Sequence, residues 1–139
     1  MVNTRLPRRV VAGIAFGAIV SLAVPVTRGE VQEPNQVLEW NQVFIDTLIA
    51  TNTPNSSSQR LGAIVHTAIF DAYNGIERRY TPIFVQSSAP PGASRRAAVI
   101  AAAYTALLGL FPPSIKADLD MIYAASLAEI GRASCRERV

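Results

Sequence analysis

A chain of 139 residues holds one domain at most. Its net charge of +3 sits at the two ends: residues 1–29 hold four arginines and no acid, and residues 130–139 hold three arginines and one glutamate. Residues 30–129 carry six basic against nine acidic side chains, so the central region has no basis for the clustered basic face of a nucleic-acid binder, and no nucleic-acid partner is expected.

The N-terminal segment has the layout of an export signal. Arg5, Arg8 and Arg9 precede residues 10–26, a run of 17 residues that is almost wholly apolar, with no charge and one late proline, Pro25. Thr27 and Gly29 put small residues where a signal peptidase cuts, which places cleavage before Glu30. Residues 1–29 are therefore expected to be a signal peptide, and the mature protein to be exported to the periplasm or beyond. The alternative is an uncleaved anchor, since 17 apolar residues stand at the lower edge for crossing a bilayer. Arg8 next to Arg9 hints at twin-arginine export. After cleavage no stable membrane span is expected.

Four helices follow. The spacing of Val37, Leu38, Val43 or Phe44, Ile45, Leu48 and Ile49 predicts a helix over 35–50, with Trp40 in the core. The sequence NTPNSSS at 52–58 predicts a loop whose serines cap a second helix over 57–74. Leu61, Ile64, Val65, Ala68, Ile69, Ala72 and Tyr73 form its apolar stripe, and Gly75 is the expected left-handed cap. Pro82, Pro90 and Pro91 exclude a helix through 77–92, where Tyr80, Ile83, Phe84 and Val85 are expected to lie across the bundle as extended chain. Ser94 is the expected cap of a third, alanine-rich helix over 94–110. Pro112 and Pro113 end it, and Ser114 is expected to cap a fourth over 114–128, with Ile115, Leu119, Ile122, Tyr123 and Leu127 inward. The expected fold class is all-α, a partial helical bundle of about four helices after a signal peptide.

The last ten residues, IGRASCRERV, contain three arginines and the only cysteine, Cys135. They coincide with one reading frame of a common short-read sequencing adapter: ATC GGA AGA GCG TCG TGT AGG GAA AGA GTG. The next triplet in that frame is a stop. Residues 130–139 are therefore expected to be a non-native tail without specific contacts to the bundle; the alternative is a natural basic tail. The domain of interest is then 30–129, which contains no cysteine.

Within that domain VLEWNQ at 37–42, the pattern H-x-A-I-x-D-A-Y-N from His66 to Asn74, YTP at 80–82 and APPGAS at 89–94 occur in this order. Together they resemble the N-terminal helical region of bacterial vanadium-dependent haloperoxidases, of the type 2 phosphatidic acid phosphatase superfamily. The resemblance covers nearly all of residues 36–128. It implies a parent enzyme that oxidises halide with hydrogen peroxide on bound vanadate, or an acid phosphatase of the same superfamily. It also implies a partner, namely a C-terminal half of the same domain that is missing here. In that family a Lys, two Arg, a Ser-Gly pair and a His hold the oxyanion, within Lys, six residues, Arg-Pro and a later Pro-Ser-Gly-His. Neither signature maps onto this chain. Seven positions after Lys116, the only lysine, stands Tyr123, and the sequence Pro113, Ser114 continues as Ile115, Lys116. No catalytic, cofactor-binding or metal-binding residue is expected, and this chain alone is expected to be inactive. The reading outside that family is a small exported helical binding or structural module.

His66 could serve as a ligand or base, with Asp71 nearby in sequence. Five residues apart on a helix, however, the two diverge. The simpler reading is a histidine hydrogen-bonded within the bundle. Asp118 and Asp120 also diverge. Arg78, Arg79, Arg95 and Arg96 read as solvated residues at element ends, although Arg95 and Arg96 oppose the dipole of the third helix and call for an acidic partner. Asn55, Ser56 and Ser57 form a glycosylation sequon, relevant only in a eukaryotic secretory host.

Overall fold

The structure, a computed structural model, describes residues 35–86 and 89–136. The expected signal peptide and residues 137–139 lie outside them. The described chain is all-α: α1 (Gln36–Ala50), α2 (Asn55–Glu77), α3 (Arg95–Leu110), a 3-10 turn (Pro113–Ile115) and α4 (Lys116–Arg136). No strand occurs among the described residues. The helix α3 packs against each of the other three and forms the middle of the bundle.

Local chemistry explains most helix ends. The Asn35 side chain accepts from the Val37 N–H and caps α1. That helix closes in a Schellman motif: Thr53 N–H bonds Leu48 C=O, Asn52 N–H bonds Ile49 C=O, and Asn52 takes φ 50°. Ser94 caps α3 as expected, accepting from Ala97 N–H. Pro112 follows Phe111, whose N–H bonds Leu107 C=O at the last turn.

Other boundaries differ from expectation. The helix α2 starts at Asn55 behind Pro54, and no side chain caps it. Proline fixes the φ of an entry residue, so the serines fall inside the first turn rather than before it. At the other end α2 runs past Gly75, which is buried, and Arg78 adopts the left-handed conformation instead (φ 54°). Asn74 sets that ending by bonding the backbone just beyond the helix. Ser114 lies within the 3-10 turn and caps nothing.

The core contains Trp40, Phe44, Val65, Ile69, Val99, Ile100, Ala103, Leu107, Phe111 and Leu119. Trp40 is fully enclosed and meets Tyr104 edge-on at 6.5 Å; Phe44 meets Phe111 at 6.4 Å. The buried face of α1 is Gln36, Trp40, Phe44 and Thr47. Leu38 and Ile49, in the expected stripe, are 64% and 73% exposed. The two large rings set the helix rotation, because they remove the most apolar area from water.

The last helix overruns its expected end. It continues to Arg136, and Ile130 packs against the core. The expectation that residues 130–139 touch nothing is therefore wrong at Ile130. That residue follows Tyr123 and Leu127 at i+7 and i+3, so it prolongs the same stripe. Gly131 and Arg132 are exposed.

Candidate functional site

Two features organise the side of the bundle formed by α2 and α3. The first is a clip. Asp71 and Asn74, three residues apart on α2, are both buried polar groups. Asp71 accepts from three consecutive backbone N–H groups, of Ile83, Phe84 and Val85, each at 2.8 Å. Asn74 accepts from the N–H groups of Arg79 (3.1 Å) and Tyr80 (2.9 Å) and donates to Tyr80 C=O (2.7 Å). A buried carboxylate or amide is costly unless its hydrogen-bonding capacity is used, and here the returning connector uses it. The hydrogen bond from Val85, helped by those from Ile83 and Phe84, holds the Asp71 carboxyl below its ordinary range although burial opposes this.

This arrangement changes the expected role of the connector. Ile83, Phe84 and Val85 do cross the bundle, but only their backbone is held. Their side chains are exposed, Phe84 by 88%, and so is that of Tyr80, whose ring lies 6.1 Å from Phe70.

The second feature is an open groove of about 1050 Å³. Its walls are the alanine-rich faces of α2 and α3, and Ile83, Phe84 and Val85 form a third side. Its polar contributions are few: Thr67, Thr105, the already engaged Asp71, and Arg60.

The residues singled out in the sequence do not converge. His66 is exposed, and its Nε2 lies 3.0 Å from Asn41 Oδ1 on α1. It is thus bonded within the bundle, while Asp71 serves the connector. Asp118 is exposed and Asp120 is not its partner. Instead Asp120 accepts from Tyr104 Oη and from Lys116 Nζ, both at 2.6 Å. Lys116, then Tyr104, lowers the Asp120 pKa; Asp120 in turn raises those of Lys116 and Tyr104. Tyr104 also stacks on Tyr123 at 4.2 Å.

Arg95 finds its acidic partner in Glu77 (2.6 Å), which also bridges Arg79 (3.1 Å). Glu77 ends α2 and Arg95 begins α3, so each charge opposes its own helix dipole, and pairing them relieves both. Arg96 donates to the buried Gln36 side chain at 2.7 Å, and Arg78 reaches Ala89 C=O. Asn55 of the sequon is the first residue of α2 and is exposed.

Among the described residues no group of three His, Cys, Asp or Glu could hold a metal ion, and no helix is long and apolar enough to cross a membrane. No family model, curated protein or solved structure matches the chain.

Arg60, Thr67 and Thr105 hold no fixed position of any motif in the sequence. A usable signal was present: alanines recur on both helices at 63, 68, 72 and at 98, 101, 102, 106, and Arg60 is the only cation of α2.

Proposed function

We propose that this chain is the N-terminal helical part of an exported vanadium-dependent haloperoxidase-like enzyme, inactive by itself. The supporting observation is that two of the quoted motifs form one connected unit. The pattern from His66 to Asn74 supplies Asp71 and Asn74, and Asn74 is bonded to the YTP turn at Tyr80.

The cations of the described residues do not fit a vanadate or phosphate site. Such a trianion needs several converging cations and backbone donors. Arg79 and Arg95 lie together but are committed to Glu77, Arg96 is committed to Gln36 and Lys116 to Asp120, and Arg60 stands as the one arginine of the groove lining. We place the oxyanion cage in a further part of the parent, which packs as the partner half of the same domain. A phosphatase parent of the same superfamily is the closest competing reading.

The gene provides the test. Reading genomic sequence in frame past the codon for Ala128 should reveal Lys, six residues, Arg-Pro and, later, Pro-Ser-Gly-His. A natural stop soon after Ala128 would sink the proposal. The present chain, assayed with orthovanadate, bromide and peroxide and separately with a chromogenic phosphoester, should give no turnover. Turnover abolished by His66→Ala would overturn the inactive reading.

A further inference from the structure

We infer that the groove between α2 and α3 binds a single-chain amphiphile with a carboxylate head, such as a medium- or long-chain fatty acid, with the head at Arg60 and the alkyl chain between the alanine faces. This inference does not depend on the family reading.

The walls argue for an alkyl chain. Ala63, Ala68 and Ala72 of α2 face Ala98, Ala102 and Ala106 of α3 across the groove. Small side chains leave open apolar volume that longer ones would fill. The lining of α2 extends from Arg60 to Ala72, about 18 Å along the axis at 1.5 Å per residue. Spread over that length, 1050 Å³ leaves a cross-section of about 60 Å². A helix with its side chains is about 10–12 Å wide and needs more; an alkyl chain needs far less. The volume, about 1050 Å³, stands just above the usual range of small-molecule sites, about 300–1,000 Å³, as the open side of a groove allows.

The third side is preformed. Phe84 stands over the groove because the backbone N–H groups of Ile83, Phe84 and Val85 are fixed on Asp71. A ligand therefore meets a wall whose backbone is already fixed, and only the exposed side chains of Ile83, Phe84 and Val85 are left to order on binding.

Charge selects the head group. Arg60 makes no hydrogen bond or ion pair among the described residues. It stands at one end of the groove lining, 11 residues from Asp71 on the same helix. The Asp71 charge is compensated by three amide donors, so it offers little repulsion to an anionic ligand whose head is a long way along the groove. A guanidinium at the mouth of an apolar channel matches a carboxylate in charge and in paired hydrogen bonding.

The test is calorimetric titration of the full chain with dodecanoate, octanoate and dodecanol below their micellar concentrations. Dodecanoate should bind saturably, one per chain, and more tightly than octanoate, with up to roughly fourfold gained per added methylene. Arg60→Gln should weaken dodecanoate about two- to fivefold and leave dodecanol unchanged. Ala102→Trp should abolish both without altering the helical circular dichroism. Should that variant lose helix, Phe84→Ser, at an 88% exposed position, should weaken both ligands instead. The inference is overturned by an absence of saturable binding, by binding indifferent to both Arg60→Gln and the groove variants, or by sedimentation showing that a second copy of the chain fills the groove and excludes dodecanoate.

Discussion

Beyond Arg96 the two sides of α3 are both free of charge and opposite in outcome. Val99, Ile100, Ala103 and Leu107 are sealed into the core with Trp40, Phe44 and Leu119. Ala98, Ala101, Ala102 and Ala106, in the same 16-residue helix, line an open groove. Large rings on α1 close the first side. On the second, alanines on both helices leave a gap, and the connector borders it with its backbone tied down and its exposed side chains lining the open side. Apolar periodicity thus marks which positions can be buried, while the size of the opposing side chains decides which of them are.

The largest effect is expected on the sealed side. Trp40→Ala should destabilise the bundle by about 3–5 kcal/mol, read from the urea midpoint, because it removes a fully enclosed ring and the edge contact with Tyr104. A loss below about 1 kcal/mol would mean that α1 is not fixed by that ring.

A matched pair sharpens the contrast. Ala103→Leu inserts volume into a site with no exposure and should cost about 2–3 kcal/mol. Ala102→Leu, one residue along and facing the groove, should stay within about 0.5 kcal/mol of the parent. Equal losses would show that the groove is closed in solution.

The clip is tested by Asn74→Ala. It leaves the N–H groups of Arg79 and Tyr80 and the C=O of Tyr80 without their partner, and should cost about 1–2 kcal/mol. Amide exchange at Tyr80 should quicken while exchange at Leu107 changes only through global stability.

The smallest effect is a pH dependence at the acid edge. The folded pKa of Asp71 lies below its unfolded value, so its contribution is complete above about pH 4. That contribution is lost as pH falls through the folded value. Asp120 has the same sign. Asp71→Asn should flatten the acid limb of stability against pH, and an unchanged limb would remove Asp71 from the account.

Much of this protein could be read from its residues. The four helices, the cap at Ser94, the burial of Trp40 and the need of Arg95 for an acid all follow from local rules: side-chain oxygens that reach orphan N–H groups, apolar periodicity, and charge against dipole. The separation of Asp118 from Asp120 and of His66 from Asp71 also follows, because helical geometry aims such pairs apart. Only the tertiary structure decided that the left-handed cap of α2 falls on Arg78 and not on Gly75. It also decided that Leu38 and Ile49 face outward and that a groove opens beside α3. The physical reason is common to all of these. Where an apolar side chain is buried, or a buried polar group finds its donors, depends on what a distant segment brings opposite it, and spacing along one helix carries no record of that.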